Sequence, residues 1–143
     1  MDVLDSLPHR PPMRLIESVS ELVAGQRATA GRRAALNDFY FLGHFPDEPI
    51  VPAVILVELL AQVGGLAAAA PVDGSGSHTP RLRVAGLGPF KFPGAAKPGV
   101  WLEARARVAG RLGTMFKIEG EVTADGEVVA VGSVTLAEAS PPR

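Results

Sequence analysis

An imidazole, a carboxylate and an amide lie within one short stretch of the chain, GHFPDEPIVPAVILVELLAQ, residues 43–62. His44 precedes Glu58 by 14 residues, and both Glu58 and Gln62 interrupt an otherwise apolar run. Burying an unpaired carboxylate is costly unless it is protonated, hydrogen-bonded or paired. Histidine is a suitable base at neutral pH, and burial is expected to raise the pKa of a glutamate, which makes it an acid. These residue types therefore point to general acid–base chemistry.

A long helix must position Glu58 and Gln62. Pro52 suits the first turn of a helix, where its missing N–H does no harm, and the apolar pattern continues to about residue 70. Gln62 follows Glu58 by four residues and so shares its helix face, where it could orient the carboxyl group or a water molecule. Because the run is apolar all round, we expect other structure to wrap it. A membrane span is disfavoured, since Glu58 at its centre would be expensive in lipid.

Strand-like segments flank this helix on both sides. Two precede it and four follow it, at residues 13–24, 26–35, 81–92, 100–109, 114–123 and 127–136. Asp125 and Gly126 form a strong hairpin signal between the last two. The simplest packing is an α+β fold, in which an antiparallel sheet of about five to six strands wraps around one long central helix. We expect residues 1–143 to form one domain, and a second copy to cover a sheet edge.

Composition narrows the classes of function. The chain has 143 residues, is 47% hydrophobic and 20% charged, and carries a formal net charge of −1, which fits a soluble globular protein and argues against nucleic-acid binding. It has no cysteine, which excludes disulfides, zinc–thiolate sites and thiol nucleophiles. The three histidines lack metal-ligand spacing, so no metal is expected. No signal sequence is recognisable, so a cytoplasmic location is the expectation.

The motifs place the chain near a known family. It resembles the hot-dog-fold β-hydroxyacyl-acyl-carrier-protein dehydratases of type II fatty-acid synthesis, the type with a His/Glu active site. The likeness starts in LPHRPPMRLIES, residues 7–18, and is strongest in GHFPDEPIVPAVILVELLAQ. It continues through FKFPGAAKPGVWLEARA, residues 90–106, and so covers nearly the whole chain.

The resemblance implies dehydration of a 3-hydroxyacyl thioester to the trans-2-enoyl thioester, with no metal and no redox cofactor. The thioester would be carried by acyl carrier protein or by coenzyme A. His44 and Glu58 would be the catalytic pair, each from a different copy of a homodimer or trimer of dimers, with the acyl chain in a tunnel at the interface. The N–H of Ala53 would be the oxyanion donor, where the family usually has glycine. Phe45 and Gln62 would complete the substrate-binding residues.

Several alternatives remain open at this stage. His44 could be a hydrogen-bonded loop residue, and Glu58 could cap a backbone group or pair with an arginine. His9, in a proline-rich turn, is expected to be structural. A hot-dog thioesterase is the competing enzyme. Because the family usually has glycine at the position of Ala53, a third hypothesis is that the chain is a non-catalytic subunit of a heterodimeric dehydratase. The basic residues available to meet an acidic carrier protein are Arg81, Arg83, Lys91 and Lys97.

Overall fold

The computed structural model describes residues 4, 7–41, 47–69 and 81–138. Its regular elements are six strands and one long helix, with a short 3₁₀ turn at Phe39–Phe41. The strands are β1 (Ser18–Val23), β2 (Arg27–Arg33), β3 (Leu82–Lys91), β4 (Trp101–Leu112), β5 (Met115–Ala124) and β6 (Glu127–Glu138). The helix, α1, spans Ala53–Ala69. Within the described residues, the expected order of two strands, one helix and four strands is confirmed.

The six strands form one sheet in the order β1-β2-β4-β5-β6-β3, and every neighbouring pair is antiparallel. Strand β4 shows why one face of the sheet covers the helix. Leu102, Ala104 and Ala106 are buried, whereas Arg105 and Arg107 between and after them are exposed. This alternation is typical of an antiparallel strand with one face on the core and one toward water.

Helix α1 begins directly after Pro52, whose carbonyl accepts the first helical bond from the N–H of Ile55 at 2.9 Å. Its middle is fully enclosed, and Leu59 and Leu60 have no exposed surface. Gly64 permits the close approach of α1 to β5, because a Cβ there would lie 2.5 Å from Ile118 Cγ2. The first turn is different, since Ala53 and Val54 are exposed. The expectation that the whole helix would be wrapped is therefore wrong for its N-terminal end within one copy.

Two strand boundaries differ from the sequence expectation by more than two residues. The first strand starts at Ser18 rather than at residue 13, because the N–H of Leu15 donates to the Gln62 side chain instead of to a neighbouring strand. Strand β4 continues to Leu112 rather than ending at residue 109. A bulge between Val108 and Gly110 shifts the register there, and the pairing with β5 continues beyond it. The hairpin at Asp125 and Gly126 is as expected, with φ values of 47° and 90°.

Candidate active site

Glu58 lies in the second turn of α1, at the point where the helix emerges from its sheet wrapping. Its side chain is 26% exposed. One carboxylate oxygen, Oε1, has two side-chain neighbours: Gln62 Nε2 donates to it at 3.0 Å, and His9 Nε2 lies 3.3 Å away. The cost of placing a carboxylate in an apolar run is thus offset, since Glu58 is partnered from two directions.

Gln62 is the anchor of this arrangement. It is 1% exposed, and its amide uses both ends. Its Oε1 accepts from the N–H of Leu15 at 2.9 Å, while its Nε2 donates to the carbonyl of Met13 at 2.6 Å as well as to Glu58. A side chain bound at three points cannot rotate freely, so Gln62 fixes the carboxyl group of Glu58. It also ties the irregular N-terminal segment, residues 7–16, to the helix.

The protonation state of Glu58 corrects the sequence-based expectation. Burial acts to raise its pKa, but hydrogen bonds from His9 and Gln62 and the charge of a protonated His9 act to lower it, and together they prevail. The net result is a pKa below the ordinary value for glutamate. The expected raised pKa is therefore wrong for the free chain, because one of the two donors, His9, comes from a segment that the apolar pattern of the helix does not reveal.

A cavity of about 460 Å³ opens beside Glu58. Small side chains on α1 make one wall, because Ala61, Gly65 and Ala69 follow Glu58 along one helix face. Apolar side chains of the N-terminal segment and of strands β3 and β6 close it, namely Leu7, Leu82 and Leu136. The polar groups lining it are His9, Glu58, Arg81 and Arg83. Such a cleft, apolar with a few convergent polar groups, suits a ligand with an apolar chain.

The other predicted site residues differ in what can be said of them. His44 and Phe45 lie outside the described residues. Ala53 is the first residue of α1, where a helix has N–H groups without an intrahelical acceptor, and its methyl group is exposed.

The segment leading toward His44 is held by a buried network around Asp38. Its carboxylate pairs with Arg32 at 2.9 Å and accepts from the Tyr40 hydroxyl at 2.6 Å and the N–H of Ala35 at 3.0 Å. Burial and the hydrogen bond to Asp38 raise the pKa of Tyr40, so the phenol stays protonated. Residues 35–41 are thereby fixed at the start of the GHFP motif.

His9 is the residue that sequence reasoning missed. It was expected to be structural, yet its ring faces the same carboxylate oxygen as Gln62. The only sequence signal was its place in LPHRPPMRLIES, since no spacing rule connects it to a residue so distant in the chain. Among the described residues, no group of three or more His, Cys, Asp or Glu side chains could hold a metal ion.

A six-stranded antiparallel sheet around one central helix defines a hot-dog-fold protein, and solved structures show the same fold. The dehydratase heterocomplex ApeI:P from Xenorhabdus doucetiae aligns with a TM-score of 0.76 over 98% of this chain and 92% of that one, at 17% identity. A hypothetical thioesterase from Streptococcus pneumoniae TIGR4, solved with coenzyme A, aligns with a TM-score of 0.62 over 88% of each chain, at 12% identity. At these identities the likeness concerns the fold alone.

Sequence comparison is more specific. A FabA-like domain model matches residues 7–133. The chain is 34% identical to the 3-hydroxyacyl-[acyl-carrier-protein] dehydratase FabZ of Rhizorhabdus wittichii, over 98% of this chain and 88% of that protein. It is 37% identical to the FabZ of Ruminiclostridium cellulolyticum and 35% identical to that of Bacillus subtilis, over 94% of each of those proteins. The chain therefore belongs to the FabA-like family of hot-dog dehydratases.

Proposed function

We propose that this protein dehydrates a 3-hydroxyacyl thioester to the trans-2-enoyl thioester. The observation that carries the proposal is the carboxylate of Glu58, fixed by Gln62 at the mouth of an apolar cavity, in a chain that carries the GHFP motif of its family. The FabZ relatives are named as acting on acyl-carrier-protein substrates, and we assign the same carrier here. A cytoplasmic location is part of the proposal. No helix among the described residues has the length and apolar character needed to cross a membrane.

The elimination requires two proton transfers. His44 removes the proton from the carbon beside the thioester carbonyl, and that electron pair forms the new double bond as the carbon–oxygen bond at C3 breaks. Glu58 gives its proton to the departing hydroxyl, which leaves as water. Because the free chain holds Glu58 at a lowered pKa, its proton must be taken up with substrate. Substrate entering the cavity removes water from a carboxyl group that is 26% exposed, and this desolvation raises its pKa.

The charge that develops on the thioester oxygen needs a donor. We assign it to the N–H of Ala53 at the start of α1, where unpaired N–H groups and the positive end of the helix dipole coincide. Alanine retains the N–H that glycine would supply. Its methyl group is exposed in one copy, so it meets no crowding from the described residues of its own chain.

A second copy of the chain completes the site in this proposal. Ala53 and Glu58 are five residues apart, which separates them by about 7.5 Å along the helix and roughly 140° around it. A substrate carbonyl at the helix N-terminus of one copy is therefore better placed against Glu58 of another. Exposed apolar residues support this arrangement, since Val54 in the first turn of α1 is 73% exposed and Val84, which lines the cavity, is 41% exposed.

Strand β3 is the edge through which two copies would pair. It lies at the end of the sheet, beyond β6, and one edge of its 10 residues has no partner strand among the described residues. Leu87 on it is 61% exposed. A long apolar edge of this kind invites pairing with an identical strand, so we propose a homodimer, alone or as the unit of a trimer of dimers.

Docking of an acidic carrier protein is assigned to Arg81 and Arg83. Both are exposed and line the cavity, at the end of β3 nearest Glu58. Lys91 lies at the other end of the strand, about 30 Å away along it. Lys97 lies in the loop before β4 and does not line this cavity. The four basic residues therefore do not form one cluster, and the arginine pair alone is placed to steer an acidic partner to the site.

The test is an assay of the reverse reaction. Purified protein is incubated with a short trans-2-enoyl thioester, on acyl carrier protein and on coenzyme A, and hydration is followed as loss of enoyl-thioester absorbance. We expect hydration, faster on the carrier protein, with Glu58→Gln and His44→Ala each lowering the rate at least 100-fold. Arg81→Glu with Arg83→Glu should abolish the preference for the carrier protein while retaining hydration of the coenzyme A substrate.

A thioesterase is the second candidate, and the lowered pKa of Glu58 favours it, because an ionised carboxylate can activate water for attack on a thioester. The same assay separates the two, since hydrolysis releases a free thiol and hydration does not. Thiol release without hydration would assign the thioesterase. A well-folded protein that does neither on both carriers would indicate a non-catalytic subunit.

A further inference from the structure

We propose that His9 is a positioning residue for Glu58, whose carboxylate it orients and holds in place. This inference rests on the proposed function for its catalytic meaning, but the contact itself belongs to the described structure. His9 Nε2 and Gln62 Nε2 approach the same oxygen, Glu58 Oε1, at 3.3 and 3.0 Å. With Oε1 held from two sides, Oε2 is the oxygen left to face substrate.

The backbone of His9 is prepared for this role. The Arg10 guanidinium donates to the carbonyls of Leu7 and His9, both at 2.8 Å, and the N–H of Arg14 donates to the Arg10 carbonyl at 2.9 Å. Leu7 is buried in the core, so the turn is fixed at both ends. An imidazole on such a turn has little freedom to leave the carboxylate.

The second ring nitrogen shows that the contact with Glu58 is the principal polar interaction of His9. Nδ1 is buried and has no hydrogen-bond partner among the described residues. Most buried polar atoms in proteins are hydrogen-bonded, and a histidine that merely ties a loop together would use this nitrogen. Here the ring is oriented by its shape and by Nε2 alone, with Nε2 directed at Glu58.

The charged groups around His9 and Glu58 allow the effect of His9 on the titration of Glu58 to be measured. Besides His9 and Glu58, the charged side chains that line the cavity are Arg81 and Arg83 on β3. The walls from α1 and β6 are apolar, at Ala61, Gly65, Ala69 and Leu136. Arg10, in the N-terminal turn, carries a guanidinium group as Arg81 and Arg83 do, and guanidinium groups do not titrate near neutral pH. A change in the titration of Glu58 when His9 is replaced can therefore be traced to the pair.

The experiment follows the carboxyl carbon of Glu58 by ¹³C NMR through a pH titration of the free protein, with Glu58→Gln to assign the signal. In His9→Ala both the hydrogen bond and the imidazolium charge are lost, so the Glu58 pKa should rise above that of the wild type. His9→Gln can retain the hydrogen bond without the charge and should fall between the two. Ser18→Ala, at the exposed first residue of β1, is the control and should titrate as the wild type does.

Kinetics give the second readout. For hydration of the enoyl thioester, His9→Ala should lower kcat about 10- to 100-fold, while KM changes by less than about threefold, because a displaced catalytic group affects the chemical step more than binding. The acid limb of the pH profile should move to higher pH, in parallel with the NMR titration. His9→Gln should recover part of the lost kcat.

Folded His9→Ala and His9→Gln proteins in which Glu58 titrates as in the wild type would overturn the proposal. If His9→Ala does not fold, the His9→Gln titration still decides, since loss of the charge alone must raise the Glu58 pKa. The failure of the proposed function is a separate result. A wild-type protein without hydration activity would overturn the dehydratase assignment, whereas the NMR titration would still report whether His9 governs Glu58.

Discussion

At the scale of single residues, the proposed site depends on partners that the carboxylate of Glu58 acquires through folding. Glu58 is held by Gln62 from one helical turn away and by His9 from a distant segment. These contacts outweigh burial, which alone would raise its pKa. The lowered pKa favours the ionised carboxylate in the free chain, and in the proposed mechanism its protonation accompanies substrate binding.

The lowered pKa of Glu58 predicts how stability depends on pH. A carboxyl group with a lower pKa in the folded state stabilises the fold above its ordinary pKa of 4.5, and that contribution is lost as the pH falls through the folded value. Glu58→Gln should therefore be less stable than the wild type at pH 7, and the difference should shrink below pH 4.5. Urea unfolding of both proteins at pH 7 and at a pH below 4.5 measures this difference in stability. A difference that grows on acidification would contradict the prediction.

Gln62 should contribute to stability independently of catalysis. Gln62→Met preserves most of the volume but leaves the buried N–H of Leu15 without its acceptor, which should lower the free energy of unfolding by roughly 1–3 kcal/mol. Leu59→Met, at a position with no exposed surface, is the matched control and should cost less than about 1.5 kcal/mol. Equal losses in the two variants would show that the amide has no special role.

At the scale of elements, one helix serves two purposes along its length. The middle of α1 packs into the sheet, whereas the face carrying Glu58, Ala61 and Gly65 lines the cavity. The adjacent residues Gly64 and Gly65 differ in this respect, since Gly64 faces the sheet and Gly65 lines the cavity. Gly64 lies against Ile118 with no space for a Cβ, while a Cβ on Gly65 would lie 3.8 Å from Leu7 and 3.9 Å from Leu136.

The glycine pair predicts opposite effects of the same substitution. Gly64→Ala should destabilise the protein by about 1–3 kcal/mol, because α1 and β5 must move apart. Gly65→Ala should be neutral or stabilising by up to about 1 kcal/mol, because alanine favours helix and the contacts are ordinary. Denaturant unfolding of both variants is the measurement. A loss in Gly65→Ala as large as in Gly64→Ala would mean that the cavity wall is packed.

The sequence predicted the elements well because their signals are local. Pro52 before an apolar run, and Asp125 with Gly126 between two strands, depend on residues close together in the chain. Gln62 was placed beside Glu58 by helical spacing alone. His9 could not be placed in this way, because it reaches Glu58 through an irregular segment whose path is set by Gln62 and the core. The predicted direction of the Glu58 pKa shift was wrong for the same reason, since it did not include the contact with His9.

At the scale of the whole molecule, one copy leaves apolar surface exposed around its own site. Its parts include edge strand β3, with Val84 and Leu87, and the first turn of α1, with Val54; of these residues Val84 lines the cavity. A second copy that covered them would bury the edge, and the proposed function assigns His44 of that copy to the same site as Glu58. Under the proposed function the dimer is the active unit, and a single chain would supply only part of each site.

Disrupting the edge should therefore remove both assembly and activity. Leu87→Glu places a charge on β3 where the partner strand would lie, so we expect a shift toward monomer in sedimentation velocity and loss of hydration activity. Leu112→Glu is the control, because Leu112 is 83% exposed at the end of β4, away from that edge. A Leu87→Glu protein that remains dimeric would rule out pairing through β3.

The most direct test of a dehydratase site shared between two copies is complementation. His44→Ala and Glu58→Gln proteins are unfolded, mixed in equal amounts, refolded together and assayed for hydration of a trans-2-enoyl thioester. Each variant alone should be nearly inactive. In the mixture, half of the dimers combine the two variants and each of these contains one intact site, so about a quarter of the wild-type activity should return. A mixture as inactive as its components, although mixed dimers form, would contradict the shared site.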